Sequence, residues 1–281
     1  MIWVCIMRIM KFLPYLLITV CLCVLIVPVL AETTGDTAIE SIRNDTPLPR
    51  SYHSTITFDN KMWIIGGEDR NLNTQNDVWS SLDGNNWACA NSSAGFPKDT
   101  NNRALTYDGR MWVIGSHDVW YSADGKIWTC ANISVPPLRN GWDQSAVVFG
   151  DRLWIVEGVP VDGSENEYNL ASWYSNDGAI WYQANESLPF VMGSRHSLAS
   201  YNDRMWIFTG NNEVWSSADG IIWDHTGDFP SGYHRKEPIV LVYDNKLWAI
   251  GGDETEWLDD AWYSTDGVAW SRAGDSSIIN E

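Results

Sequence analysis

From residue 50 onward, apolar and polar positions alternate in short runs of four to six residues, each closed by Asp, Asn or Gly. A period of two between turn residues is the signature of half-buried strands. In the stretch Val78-Trp79-Ser80-Ser81-Leu82-Asp83-Gly84-Asn85-Asn86-Trp87, bulky and small residues alternate up to Asp83-Gly84 and a Trp opens the next run. Asp accepts backbone N–H groups and Gly tolerates positive φ, so the stretch predicts a hairpin with a Trp on each arm. The pattern recurs at Val119–Trp128, Ser172–Trp181, Val214–Trp223 and Ala261–Trp270. Upstream of the first copy, Ser54 to Phe58 and Lys61 to Gly67 flank a turn at Asp59-Asn60. That hairpin also recurs, around Tyr107-Asp108-Gly109-Arg110, Phe149-Gly150-Asp151-Arg152, Tyr201-Asn202-Asp203-Arg204 and Tyr243-Asp244-Asn245-Lys246.

Two hairpins make a four-stranded antiparallel unit. The turn aspartates fall at 83, 124, 177, 219 and 266, so the repeat is 41 to 53 residues long. This period with four strands per unit predicts an all-β protein, a β-propeller of five four-stranded antiparallel blades. A single sheet of this kind cannot cover both faces and needs a neighbour on each side. Five complete repeats predict a closed five-bladed ring, with part of a larger or open propeller as the alternative. Fifteen of the 18 Trp residues occupy three repeated positions, and they form the expected core between blades.

The strand-2 ending Gly66-Gly67 and Gly251-Gly252, the Trp that opens strand 4, and His53-Ser54 and His196-Ser197 at the start of strand 1 resemble the Kelch-type propellers, including the central domain of galactose oxidase. The Ser-x-Asp-Gly-x-x-Trp turn also looks like the Asp-box of sialidase-like propellers, with a spacing one residue shorter. The resemblance covers about residues 50–272 and implies a fold rather than an activity. Galactose oxidase binds copper through a modified Cys–Tyr pair and ligands from added domains, for which this chain has no room.

The expected organisation is a signal peptide at 1–31, a polar segment at 32–50, a propeller at 51–272 and a tail at 273–281. The repeats run about 51–97, 98–137, 138–190, 191–230 and 231–272. Arg8 and Lys11 precede an apolar run from Phe12 to Leu30 that ends Val29-Leu30-Ala31, the pattern of a cleaved export signal. Retained, the run approaches the length of a membrane anchor. Either way the protein is expected to be secreted or at the cell surface. Its removal takes two basic and no acidic residues and leaves 36 acidic and 16 basic groups, a formal charge of −20. Such a charge disfavours nucleic acid and anionic membranes as partners.

Three of the five Cys lie in the N-terminal segment. Cys89 and Cys130 occupy one repeat slot, two residues past the strand-4 Trp, so their side chains are expected not to meet but to stay as two buried thiols. No Cys-x-x-Cys or His-x-x-x-His spacing marks a metal, and no cofactor is expected. The acidic run from Asp253 to Asp260 lacks the EF-hand pattern. Asn44, Asn91, Asn132 and Asn185 head glycosylation sequons, the last three in one slot whose Asn and Ser equally suit a turn.

Strand direction places the 1–2 and 3–4 turns on one face, short and repetitive. On the other face the 2–3 loops vary, from Glu68–Asn76 and Val159–Leu170 to almost nothing at Ser116–His117. Irregular loops on a rigid scaffold are where binding concentrates. Lys61, Arg110, Arg152, Arg204 and Lys246 fall in the repetitive turns, with pairing to the turn aspartates expected. Arg50, Arg103, Arg139, Arg195 and Arg235 fall at or near strand-1 starts, and His53, Asn102, Gln144 and His196 share one slot there. The expected ligand site is therefore the channel mouth on the variable face, formed by Arg50, His53, Asn102, Arg139, Gln144, Arg195, His196 and Arg235. Converging Arg and His suit a carboxylate or a sugar. The expected role is a binding module for a protein or a glycan. The alternative is a small sugar-processing enzyme similar to Kelch-type sialic-acid mutarotases or sialidase-like propellers. No catalytic residue is identifiable by motif, so binding is the preferred reading over catalysis.

Overall fold

The computed structural model describes residues 46–100, 102–132, 144–160, 168–190, 196–230, 238–252 and 258–273. The N-terminal apolar run, most of the polar segment at 32–50 and the tail lie outside them. Within the described residues the regular structure is all strand. A two-residue strand β1 (Arg50–Ser51) precedes blade 1, which contains β2 (Ser54–Phe58), β3 (Lys61–Asp69), β4 (Thr74–Ser81) and β5 (Trp87–Asn91). Blade 2 contains β6 (Arg103–Tyr107), β7 (Arg110–Ile114), β8 (Val119–Ser122) and β9 (Thr129–Asn132). Blade 3 contains β10 (Ser145–Phe149), β11 (Arg152–Pro160), β12 (Tyr168–Ser175) and β13 (Tyr182–Asn185). Blade 4 contains β14 (Ser197–Tyr201), β15 (Arg204–Phe208), β16 (Glu213–Ser217) and β17 (Asp224–Asp228). Blade 5 contains β18 (Ile239–Tyr243), β19 (Lys246–Ile250), β20 (Ala261–Ser264) and β21 (Ser271–Ala273). Each blade is an antiparallel sheet in sequence order, and the fold is a β-propeller of five such blades. Blades 1 and 2 belong to one compact unit, blades 3 to 5 to a second.

The 1–2 turns have the geometry their residues dictate. Asp59 and Asn60 take φ of 50° and 54°, and Asn202–Asp203 and Asp244–Asn245 behave alike. Two left-handed residues in a two-residue hairpin make a type I′ turn, which Asn, Asp and Gly favour. Inside each blade the strand-2 Trp donates its indole N–H to the last residue of strand 1, as in Trp63 Nε1 to Phe58 O at 2.9 Å. Trp112, Trp154, Trp206 and Trp248 repeat this bond. These five indoles are 2% to 4% exposed.

The 3–4 turns are equally uniform. Asp83 Oδ1 accepts the N–H groups of Asn85 and Asn86 at 2.9 and 2.8 Å, and Ser81 Oγ accepts the Gly84 N–H at 2.9 Å. Trp87 Nε1 then donates to Gly84 O at 3.0 Å. The same set forms around Asp124, Asp177, Asp219 and Asp266. The hydrogen bonds from Asn86 and Asn85 hold the Asp83 carboxyl far below its ordinary range.

Packing between blades uses the same glycines. A Cβ on Gly125 would lie 2.2 Å from Trp63 Cζ3, and one on Gly220 2.2 Å from Trp154 Cζ3. The strand-2 indole of one blade is thus pressed against the turn of the next. A second plug comes from the loop after strand 4. Phe96 meets Trp128 edge-on at 5.1 Å, and Phe190 meets Trp223 at 5.5 Å. Such aromatic pairs add to the area they bury.

Three local expectations are corrected. The turn-face cations do not pair chiefly with turn aspartates. Arg110 and Arg152 lie over Tyr121 and Tyr174 at 4.7 and 4.5 Å, and Lys61 lies over Trp63 at 5.9 Å. Lys246 combines Tyr263 with Asp244, and Arg204 bonds Ser216 and Asp224. An aromatic ring thus faces four of the five cations, and Lys246 also reaches a carboxylate of its own turn, Asp244 at 3.7 Å. The segment 68–76 is not an irregular loop either, because β3 and β4 pair out to Glu68–Thr74, and the described ends of 159–170 are strand, paired out to Pro160–Tyr168. Finally, Cys89 and Cys130 are free as expected, but Cys89 is exposed and Cys130 half-buried. They lie on β5 and β9, the outermost strands of their sheets among the described residues.

Candidate functional site

The 2–3 face of blades 1 and 2 carries the most developed arrangement of polar side chains among the described residues. β3 runs past the end of β2, and β1 pairs with its extension, Arg50 opposite Asp69 and Ser51 opposite Glu68. The Arg50 guanidinium reaches across this extension and grips Asp77 on β4 with two bonds of 2.5 and 2.9 Å. It also donates to Gly66 O and Leu48 O. Four of the five N–H donors of an Arg are thereby used. Its side chain is 4% exposed, so Arg50 is a latch for the segment that leads into β2.

Gly67 explains why the chain can turn back so closely. A side chain there would meet Ser51 O at 2.7 Å and His53 N at 2.9 Å, and the residue holds φ at +101°. His53 packs beside the latch and hydrogen-bonds the Arg50 backbone. Burial, then the Arg50 charge, lowers its pKa to about 4. The unfolded chain, with an ordinary imidazole, takes up the proton first as pH falls from 6.5 toward 4. Stability present above pH 6.5 is therefore lost across that window, by up to about 3 kcal/mol. Urea midpoints measured between pH 4 and 7 should fall less in His53→Gln than in the parent. Parallel curves for the two proteins would contradict this reading of His53.

Asn102 is buried where blades 1 and 2 meet. Ser54 Oγ donates to Asn102 O at 2.6 Å, which ties the first strands together. The amide side chain packs against two glycines: a Cβ on Gly66 would lie 3.6 Å from its Nδ2, and one on Gly115 3.1 Å from its Oδ1. Beside it, Asp99 accepts both the backbone N–H and the hydroxyl of Ser116. Asp118 accepts the Trp120 indole N–H at 2.8 Å. Desolvation pushes the Asp118 carboxyl up, with the Asp99 charge adding to the effect. This region thus offers carboxylate oxygens, and its Arg is committed.

Exposed bulky residues rim the same face of blade 1. Tyr52 holds φ at 55° with 54% of its surface exposed, and Leu72, at the hairpin tip, holds φ at 62° with 76% exposed. Positive φ is costly for large side chains. The tip is fixed by Asp69, whose carboxylate accepts the Asn71 and Asn73 N–H groups and the side-chain amides of Asn73 and Gln75.

In the unit of blades 3 to 5, Gln144 and His196 occupy the slot equivalent to His53 and Asn102. Both are buried, and His196 Nε2 lies 3.3 Å from Val156 O. Asn102, Gln144 and His196 in this slot are thus buried side chains. Arg139, Arg195 and Arg235 lie outside the described residues. Among the eight residues expected at the site, Arg50, His53 and Asn102 come together.

Sequence reasoning missed Asp77 and Asp118. Their signal was present as an acid two residues before the strand-3 Trp, in Asp77-Val78-Trp79, Asp118-Val119-Trp120, Glu213-Val214-Trp215 and Asp260-Ala261-Trp262. In all four the carboxylate accepts the indole N–H, at 2.7 to 3.1 Å. Blade 3 has Ala171 at this position.

Comparison with known proteins agrees with this architecture. Residues 122–233, from the end of β8 to just beyond β17, match the family model described as the DUF6242 beta propeller domain. No curated protein is detectably similar to the chain. A solved structure titled "Structure of YjhT" is similar with a TM-score of 0.58 at 14% identity, over 80% of this chain and 84% of that one. Blade topology, family match and structural likeness agree on a β-propeller, and what they share is the fold.

Proposed function

We propose that the chain is an exported, Kelch-like binding module that recognises a protein or a glycan through the 2–3 face of its blades. The observation that carries this reading is the blade-1 edge. Tyr52 and Leu72 are large, exposed and held at positive φ, while the Arg50–Asp77 latch and the Asp69 tip keep their backbone in place. Strained, exposed side chains on a fixed support are a recurrent feature of ligand clamps. The opposite face carries turns that satisfy their own donors and acceptors in every blade. Those Ser-x-Asp-Gly-x-x-Trp turns support the Asp-box-like reading, and the glycines that end strand 2 support the Kelch-like one. Arg8, Lys11 and the apolar run that follows them support export to the cell surface or beyond. The formal charge of −18 disfavours nucleic acid as the partner.

The test is a glycan array and an extracellular-protein array, probed with the full chain and with Tyr52→Ala/Leu72→Ala. The parent is expected to retain a discrete binder, and the double variant to bind it at least about tenfold more weakly, the loss of one or two well-packed anchors. Unchanged binding by the double variant, or loss only in Ile221→Asp/Ile222→Asp on the turn face, would reject this surface.

A further inference from the structure

The glycosylation sequons at the end of strand 4 have a structural use. In blade 1, Asn91 Nδ2 donates to Lys126 O at 2.7 Å, a carbonyl of the Asp-Gly turn in blade 2. Its Oδ1 accepts the Ser93 N–H at 2.9 Å. Blade 3 repeats the arrangement. Asn185 Nδ2 donates to Ile221 O, in the turn of blade 4, at 2.8 Å, and its Oδ1 accepts the Ser187 N–H at 2.9 Å. Both residues are half-buried.

A local irregularity aims these side chains. The pairing of strands 3 and 4 shifts by one residue between Val78 and Trp79, and between Ser172 and Trp173. The extra residue lies on strand 4, at Ala90 and Ala184, immediately before the Asn. Such a bulge bends the edge strand and increases its twist. In blade 4 the slot holds Gly227 at φ of 134°, which has no amide to offer.

We infer that Asn91 and Asn185 are clasps between blades, and that this slot in the folded protein is closed to an N-linked glycan. An N-glycan is carried by Nδ2, the atom that here contacts the neighbouring turn. Of the sequon residues, the clasp uses the Asn amide and the backbone N–H two residues later. The Ser hydroxyl, which glycosylation requires, has no part in it.

That division supplies the test. Ser187→Ala removes the sequon and keeps every clasp atom. Asn185→Asp removes both, retaining the acceptor for the Ser187 N–H but setting a carboxylate oxygen against Ile221 O. In the full chain Asn185→Asp should lower Tm by about 3–8 °C, and Ser187→Ala should leave it unchanged. Equal effects of the two variants would overturn the clasp. Intact-mass analysis of the chain secreted from a glycosylating host should find Asn91 and Asn185 unmodified. A glycan at Asn185 whose enzymatic removal leaves Tm unchanged would overturn the closed slot.

Discussion

Gly220→Ala should destabilise the protein by about 2–5 kcal/mol, whereas Gly150→Ala should cost only about 1–2 kcal/mol. Both glycines hold positive φ, 75° and 55°, so both substitutions place an L-residue in a left-handed conformation. They differ in what the new methyl meets. At Gly150 nothing lies within 4 Å; at Gly220 the methyl would fall 2.2 Å from Trp154 Cζ3 and 2.6 Å from Met205 Cε. Trp154 is nearly buried and its indole N–H is bonded to Phe149 O at 3.0 Å. The ring therefore has no alternative position, and overpacking adds to the backbone cost. Chemical denaturation of the two variants separates the terms. Equal losses would mean that the Asp-Gly turn needs glycine for its backbone alone, and that the indole does not seal the blades there.

Asp77→Asn should cost about 3–5 kcal/mol, far more than a surface ion pair is worth. The Arg50 side chain is 4% exposed and that of Asp77 14%. Neutralising one partner leaves the other charge buried without compensation. The same carboxylate accepts the Trp79 indole N–H at 2.7 Å, so two contacts weaken together. Arg50→Met combined with Asp77→Asn should recover part of the loss, since the double change removes the orphaned charge. Urea unfolding of the two single variants and the double variant gives the coupling between them. Additive losses would show that Arg50 and Asp77 do not stabilise one another, and would remove the support assigned to Tyr52.

The elements legible in the sequence are those fixed over a few residues. Asp59-Asn60 and Asp244-Asn245 announce their turns because only a few residue types accept positive φ twice in succession. Asp83 and Gly84 announce theirs because the carboxylate and the missing Cβ act within five residues. Contacts that depend on a neighbouring blade were harder to read. The position shared by His53, Asn102, Gln144 and His196 was recognisable as one slot, but spacing along a strand does not say how deeply a slot is buried. Asn102 is buried, with its amide against Gly66 and Gly115. Phe96 and Phe190 were unremarkable loop residues until the rings of Trp128 and Trp223 stood against them. Asp77 carried a repeated signal, yet its value depends on Arg50, 27 residues earlier. The variable face was legible as a region. Its exposed anchors, Tyr52 and Leu72, were not, because their unusual φ arises from the β1 pairing and the Asp69 tip.

The central claim is that recognition takes place on the 2–3 face. Amide hydrogen exchange, followed with and without the strongest binder from the arrays, tests it most directly. Protection is predicted at 48–53 and 70–76, with the Asp-Gly turns around Asp83, Asp124, Asp177, Asp219 and Asp266 unchanged. Protection confined to those turns, with 48–53 and 70–76 exchanging as in the free protein, would contradict it.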